Sequence, residues 1–297
     1  MISDATSAFP LTATPAPTPT TTLQLLTRPP FDGAGIMRFF ADHAISGVED
    51  WSIDSYRRAL SLPRGNATIE VKLCASGIEC RARLSSPDDQ PHLEKMLRRL
   101  FDLDADSALI DTALAHHPGL GGVVRANPGV RLPGSIDAHE TLFRTLLGQQ
   151  VSVAAARTVL GRVCRELTDG SGLFPTAAQF AERGTAVLRG PVARVASIVA
   201  LAEALASGSL IVNDRMSPGE LTRTLLGQRG IGPWTAGYVA MRVLGSPDIL
   251  LSSDLIMVQS ARKLGLAYSA RELALLGERW APWRSYAGLQ LWRAANR

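Results

Sequence analysis

Gly230, Ile231 and Gly232 stand between two segments that each read as a helix, and what such a turn can offer a ligand is backbone. Upstream, Ser217-Pro218-Gly219-Glu220 is a capping box with proline at the first helical position, opening a helix that carries Leu221, Leu225 and Leu226. Downstream, Pro233-Trp234-Thr235-Ala236 starts a second helix, which Tyr238, Met241 and Leu244 complete. Glycines supply unusual backbone angles and clear the approach, so the second helix can present its first free N–H groups to a phosphate. Contacts of that kind position a duplex without reading its sequence. Ile231 reads as the apolar plug between the helices. Farther on, Gly245-Ser246-Pro247-Asp248 forms a turn, and Ser252-Ser253-Asp254 opens a helix through Met257, Ala261 and Leu264. Alone, a G-x-G turn also suits a helical hairpin packed in a core, and Asp254 suits a helix-start acid facing the dipole.

The elements that must position these residues divide the chain unevenly. Residues 1–22, rich in Thr, Pro and Ala, cannot bury enough apolar surface to offset the entropy of ordering, and a disordered tail is expected there. Over residues 23–112 an α+β domain is expected. Ile69, Val71 and Leu73 alternate with Glu70 and Lys72, and after Ser76-Gly77 the residues Ile78, Cys80, Ala82 and Leu84 alternate with Glu79, Arg81 and Arg83. That is a period-2 hairpin with one buried face. Pro87-Asp88-Asp89 then opens a helix through Leu93, Met96, Leu97 and Leu100, set against the sheet. Over residues 113–297 helix punctuation takes over: Asp137 before Leu142, Leu146 and Leu147, Pro175 at a helix start, and Val192 to Leu205 ending at Gly208. The fold class is thus α+β, an antiparallel sheet domain followed by an all-helical core.

Composition narrows the chemistry. Of 31 Lys and Arg residues only Lys72, Lys95 and Lys263 are lysine, leaving 28 arginines, a side chain suited to forked phosphate contacts. From Ser217 to the end, ten basic residues face five acidic ones, so the net charge of +4 is concentrated in the C-terminal part. Cys74, Cys80 and Cys164 have neither disulfide nor zinc nor iron–sulfur spacing, and the five histidines, among them His43 and His139, show no metal-ligand spacing. No stretch is long and apolar enough to span a membrane, and a cytoplasmic, nucleoid-associated protein without a membrane partner is expected.

The run L-x-x-x-G-I-G-x-W-T-A, a Gly/Pro turn and S-S-D-L resembles the helix–hairpin–helix, Gly/Pro, Asp signature of base-excision DNA glycosylases. Phe31-Asp32 and Phe39, Arg131-Leu132-Pro133-Gly134 with Asp137, Leu147-Gly148-Gln149-Gln150-Val151-Ser152, and Trp280-x-Pro-Trp283-Arg284-Ser285-Tyr286-Ala287 extend it. Together they are similar to the bacterial 3-methyladenine DNA glycosylase II subgroup, from about residue 23 to the end. The resemblance implies a core of two helical subdomains and removal of alkylated bases from double-stranded DNA by a monomer. It implies Asp254 as the catalytic carboxylate, an aromatic base pocket of Phe39, Trp234, Tyr238 and Trp292, and DNA contacts at Gln149, Gln150, Gly230, Gly232 and Thr235.

No cofactor is required on this comparison, although it suggests a structural Na+ or K+ on the carbonyls of Leu226, Gln228 and Ile231. Trp234 occupies the position where bifunctional members carry a Schiff-base lysine, so no strand-cutting lyase step is expected. The four-cysteine cluster loop of the endonuclease branch is missing after Trp292. Gln150 stands where the related alkylation enzyme places a wedging leucine. Three rivals stay open: a helix–hairpin–helix module that only holds DNA, a helical scaffold or small-ligand binder, and a glycosylase for other damaged or mismatched bases.

Overall fold

Period-2 alternation in the N-terminal third becomes five antiparallel strands: β1 (Thr20–Leu26), β2 (Glu49–Trp51), β3 (Ser55–Leu62), β4 (Gly65–Cys74) and β5 (Gly77–Leu84). They are seen in a computed structural model that describes residues 20–52 and 55–295. The strand order is β1-β5-β4-β3-β2, and the expected hairpin pairs Val71 with Cys80 and Ile69 with Ala82. Helices α1 (Gly33–His43) and α2 (Gln90–Leu100) cover one face, burying Ile36, Met37 and Phe40 from α1 and all four expected apolar residues of α2. Arg57, Glu70, Arg81 and Arg83 line the opposite face, the division normal for a half-covered antiparallel sheet.

Two expectations change. Thr20, Thr21 and Thr22, assigned by composition to the tail, pair with Arg83, Ala82 and Arg81 as the start of β1. Threonine suits an edge strand, and the ladder satisfies backbone that little apolar burial supports. Residues 1–19, the rest of the expected tail, lie outside the described residues. Leu73 is 39% exposed despite its place in the alternation. It sits beside Gly33, at the very start of α1, where the helix layer ends.

Among the described residues eleven further α-helices follow: α3 (Ser107–Ala115), α4 (Gly121–Ala126), α5 (Ala138–Leu147), α6 (Val153–Thr168), α7 (Ala177–Val187), α8 (Val192–Ala206), α9 (Pro218–Leu226), α10 (Pro233–Leu244), α11 (Leu255–Lys263), α12 (Ala270–Gly277) and α13 (Arg284–Ala295). Asp137 caps α5 and the Ser217–Glu220 capping box opens α9, as expected. Helices α5 to α9 enclose one apolar core, and α11 to α13 with α3 and α4 enclose another. Helix α10 serves both. Ala236, Val239, Ala240 and Val243 enter the first core and Met241 the second, so the helix after the hairpin lies on the seam. Among the described residues no helix is long and apolar enough to cross a membrane.

A charged cluster ties the sheet to the helical part. The Arg58 guanidinium of β3 forks onto Glu140 of α5 at 3.0 and 2.9 Å, and Glu49 of β2 lies 3.3 Å from Arg58 and 2.8 Å from Arg144. Tyr56 donates its hydroxyl proton to Glu49 at 2.6 Å. Two cations thus face two anions away from water, where losing one partner costs far more than the pairs contribute net. Burial opposes ionisation of Glu140, yet the charges of Arg58 and Arg144 overcome it and hold its carboxyl at about 2. Helix α5, fixed in this way, leads into the loop that contacts the hairpin.

Candidate active site

Asp254 is the N-cap of α11, and its position follows from that role. Its Oδ1 accepts the Met257 N–H at 2.9 Å, the cap bond expected of an aspartate there. Two indoles complete its environment. Trp292 of α13 donates Nε1–H to Oδ1 at 3.0 Å, and Trp234, in the first turn of α10, donates to Oδ2 at 2.9 Å. With two lone pairs on each oxygen, Oδ1 is filled while Oδ2 keeps one pair for a further partner. The group is half-buried and hydrogen-bonded through both oxygens.

The start of α13 sets the place of Trp292. Arg284 forks onto Asp248 at 2.6 and 2.8 Å, and holds its carboxyl below the usual carboxylate range. Ser285 Oγ accepts the Ile249 N–H at 2.9 Å and donates to the Ser246 carbonyl at 2.7 Å. The Arg284-Ser285 motif therefore clips α13 onto the Gly/Pro turn that leads to Asp254. Beyond Trp292, Arg293 pairs with Asp32, the N-cap of α1, and a side chain at Gly35 would collide with both.

Trp234 and Tyr238 are one turn apart on α10, with rings stacked at 5.2 Å between centroids and 7° between planes. Trp292 meets Tyr238 edge-on at 6.4 Å. These three aromatics and Asp254 form one constellation. Phe39 makes no ring contact with these three among the described residues and meets Tyr238 through Arg242. Its ring stacks on His43 at 4.2 Å and carries the Arg242 guanidinium 4.7 Å from its centroid. Burial holds His43 below its usual value, and the Arg242 charge adds to that against the hydrogen bond from His43 Nδ1 to the Phe39 carbonyl. Sequence reading missed Arg242. Its spacing of four from Tyr238 and eight from Trp234, which puts all three on one helix face, was the available signal.

The hairpin has the expected exposed backbone. Gly230 adopts φ +85°, Gly232 is the N-cap of α10 with no side-chain cap, and a Cβ at Gly232 would meet nothing within 4 Å. Ile231 is buried, plugging the turn. The N–H groups of Gly232, Trp234 and Thr235 donate to no partner among the described residues. Thr235 is buried, and its hydroxyl oxygen is engaged by Gln149. Gln149 donates its amide to Thr235 Oγ1 at 2.9 Å and to the Gly230 carbonyl at 3.3 Å, clasping the hairpin to the end of α5. Gln150 next to it is exposed, with φ +62°. The Gln228 carbonyl accepts from Ile231 N–H at 3.2 Å, while those of Leu226 and Ile231 accept none among the described residues.

The chain matches the AlkA N-terminal domain family over residues 22–137. It is 32% identical over 289 residues to DNA-3-methyladenine glycosylase 2 of Escherichia coli (strain K12), covering 89% of this chain and 94% of that protein. The chain belongs to the AlkA family. It is also 38% identical over 281 residues to a protein of Mycobacterium tuberculosis (strain H37Rv) named "Probable bifunctional transcriptional activator/DNA repair enzyme AlkA", covering 92% of this chain. The chain spans 57% of the length of that relative. In fold it is similar to the 3-methyladenine DNA-glycosylase of Archaeoglobus fulgidus, with a TM-score of 0.77, 17% identity and coverage of 93% of this chain and 98% of that one. As an AlkA-family protein it carries the sheet, both helical cores and the hairpin in one chain.

Proposed function

We propose that this chain is a monofunctional DNA glycosylase that removes alkylated bases, N3- and N7-methylated purines among them, from double-stranded DNA. The observation that carries the reading is the Asp254 carboxylate, fixed by Trp234 and Trp292 with one lone pair of Oδ2 uncommitted. The free N–H groups at the start of α10 grip a phosphate of the target strand, and Gln150 faces the same duplex. The altered nucleotide turns out of the stack so that its base reaches Trp234, Tyr238 and Trp292. An N-alkylated purine is cationic, and contact with an electron-rich face favours it by roughly 0.5–2 kcal/mol.

The C1′–N bond breaks with its electron pair going to the base, which leaves neutral and needs no acid. The sugar becomes oxocarbenium-like, and Oδ2 of Asp254 stabilises that charge and orients the water that adds to it. One carboxylate is then enough, where ordinary glycoside hydrolysis uses two. A monovalent cation on the Leu226, Gln228 and Ile231 carbonyls would add positive charge beside the hairpin and no chemistry at the bond. The protein acts as a monomer in the cytoplasm, with the nucleoid.

Mass spectrometry of free bases released from methylated, deaminated and oxidised DNA tests the reading. Methylated purines are the expected products; no free base from methylated DNA defeats it and favours a module that only holds DNA. Borohydride added during turnover is expected to trap no protein–DNA adduct, because a tryptophan stands where an amine would form the Schiff base. A trapped adduct would refute the monofunctional assignment.

A further inference from the structure

Arg242 occupies the far end of the aromatic face of α10, and its guanidinium makes several contacts at once. Nη1 donates to the Tyr238 hydroxyl oxygen at 2.6 Å and Nη2 to the Gly134 carbonyl at 2.8 Å. The same group lies 4.7 Å from the Phe39 ring centroid and 5.5 Å from that of Tyr238. Gly134 is itself immobile, because its N–H donates to the Leu100 carbonyl and a Cβ there would strike the Arg99 carbonyl. Arg242 is thus anchored to rigid backbone at one end and aimed at Tyr238 at the other.

Two consequences follow for a base lying against Tyr238. A phenol has one proton, and an oxygen that accepts from Arg242 must direct that proton elsewhere. No acceptor takes it among the described residues, so Tyr238 offers an O–H donor to the ligand. Arginine also stays charged at every ordinary pH, so this end of the site is permanently positive. The Asp254 end is the opposite, a carboxylate between two indoles. A purine whose glycosidic N9 is at Asp254 turns the far edge of its six-membered ring away from that carboxylate, toward Tyr238. A carbonyl at C6 accepts from the hydroxyl, whereas an amino group there sets donor against donor beside a cation.

We propose that Arg242 is a positioning residue that fixes Tyr238 as a hydrogen-bond donor, and that the pair biases base removal toward 6-oxopurine lesions over 6-aminopurine lesions. The inference rests on the glycosylase reading and deepens it. Methylated duplex DNA supplies a matched test, since 7-methylguanine carries a C6 carbonyl and 3-methyladenine a C6 amino group, and both are cationic within DNA. The readout is the ratio of their single-turnover release rates, each variant compared with wild type and checked for folding by thermal melting.

Y238F and R242M are each expected to lower the 7-methylguanine to 3-methyladenine ratio by roughly three- to tenfold, the worth of one neutral hydrogen bond. The double variant is expected to lower it no further, because Arg242 acts through the Tyr238 hydroxyl and has nothing left to position once that hydroxyl is gone. If R242M fails to fold, Y238F carries the test, since it removes the hydroxyl and leaves Arg242 its bond to the Gly134 carbonyl. A change in overall rate with the ratio intact, or losses that multiply in the double variant, overturns the proposal while leaving the glycosylase reading standing. Release of neither base by the wild type ends both.

Discussion

Trp234 and Trp292, from α10 and α13, donate to different oxygens of the Asp254 carboxylate, at 2.9 and 3.0 Å. An asparagine in that place keeps the cap on α11 but must turn an NH2 toward one of two indole N–H donors. D254N is therefore expected to stay folded and to lose base release by at least about a hundredfold, the usual scale for removing a fixed electrostatic partner. Release of 3-methyladenine from alkylated DNA, measured beside thermal melting, checks this. A folded D254N protein with wild-type release would remove Asp254 from the mechanism.

The hairpin glycines separate stability from grip. Gly230 has φ +85°, where an alanine costs about 1 kcal/mol, so G230A is expected to lose both melting temperature and duplex affinity. Gly232 has φ −95° and open space where a Cβ would point. G232A is expected to melt like wild type and, if the α10 N-terminus holds a phosphate as proposed, to bind a duplex more weakly, because its methyl group enters the open space in front of those N–H groups. Binding titrations across a salt series measure it. Unchanged affinity in a folded G232A would place the backbone contact elsewhere.

What the sequence disclosed and what it hid divide along physical lines. The β4–β5 hairpin, the capping box at Ser217 and the cap at Asp254 are local, written in periodicity and in residue types a few positions apart, and they stand as expected. Trp234, Tyr238, Trp292 and Asp254 also come together, although their association depends on the Arg284 and Ser285 clip, which spans 36 residues. Long-range polar pairings left no local trace. Arg58 finds Glu140 across 82 residues and Arg293 finds Asp32 across 261, and nothing in the spacing of either marks them as partners. Phe39, like the other aromatics, was attached to the pocket by resemblance, and its ring meets His43 and Arg242.

The cluster around Arg58 gives the fold an acid limit. Glu140 is held at about 2, below an ordinary glutamate near 4.5, so its contribution is complete above 4.5 and disappears as pH falls through 2. Glu49 is shifted in the same direction by Arg144 and Arg58 against its burial. E140Q leaves buried cations underpaired and is expected to lose about 3–5 kcal/mol at neutral pH. It is also expected to show a shallower loss of stability than wild type between pH 4.5 and 2. Denaturant unfolding at pH 7, 4 and 3 measures both effects, and parallel curves for the two proteins would contradict the assignment.

Asp102 works in the opposite sense. Burial pushes its carboxyl up to about 6, against N–H donation from Leu132 and O–H donation from Tyr286, both at 2.9 Å to Oδ2. The folded state therefore holds a proton that the unfolded chain releases near 3.8, and stability erodes as pH rises from there through 6. An asparagine carbonyl can take the place of Oδ2 with both donors retained, and asparagine tolerates the φ of +52° at this position better than most residues. D102N is expected to be more stable than wild type at pH 8 by on the order of 1–3 kcal/mol, with the gain vanishing by about pH 2.5, well below 3.8, where the aspartate is protonated in both states. Unfolding curves at the two pH values decide it. A gain of equal size at both would trace the effect to backbone conformation and not to the proton.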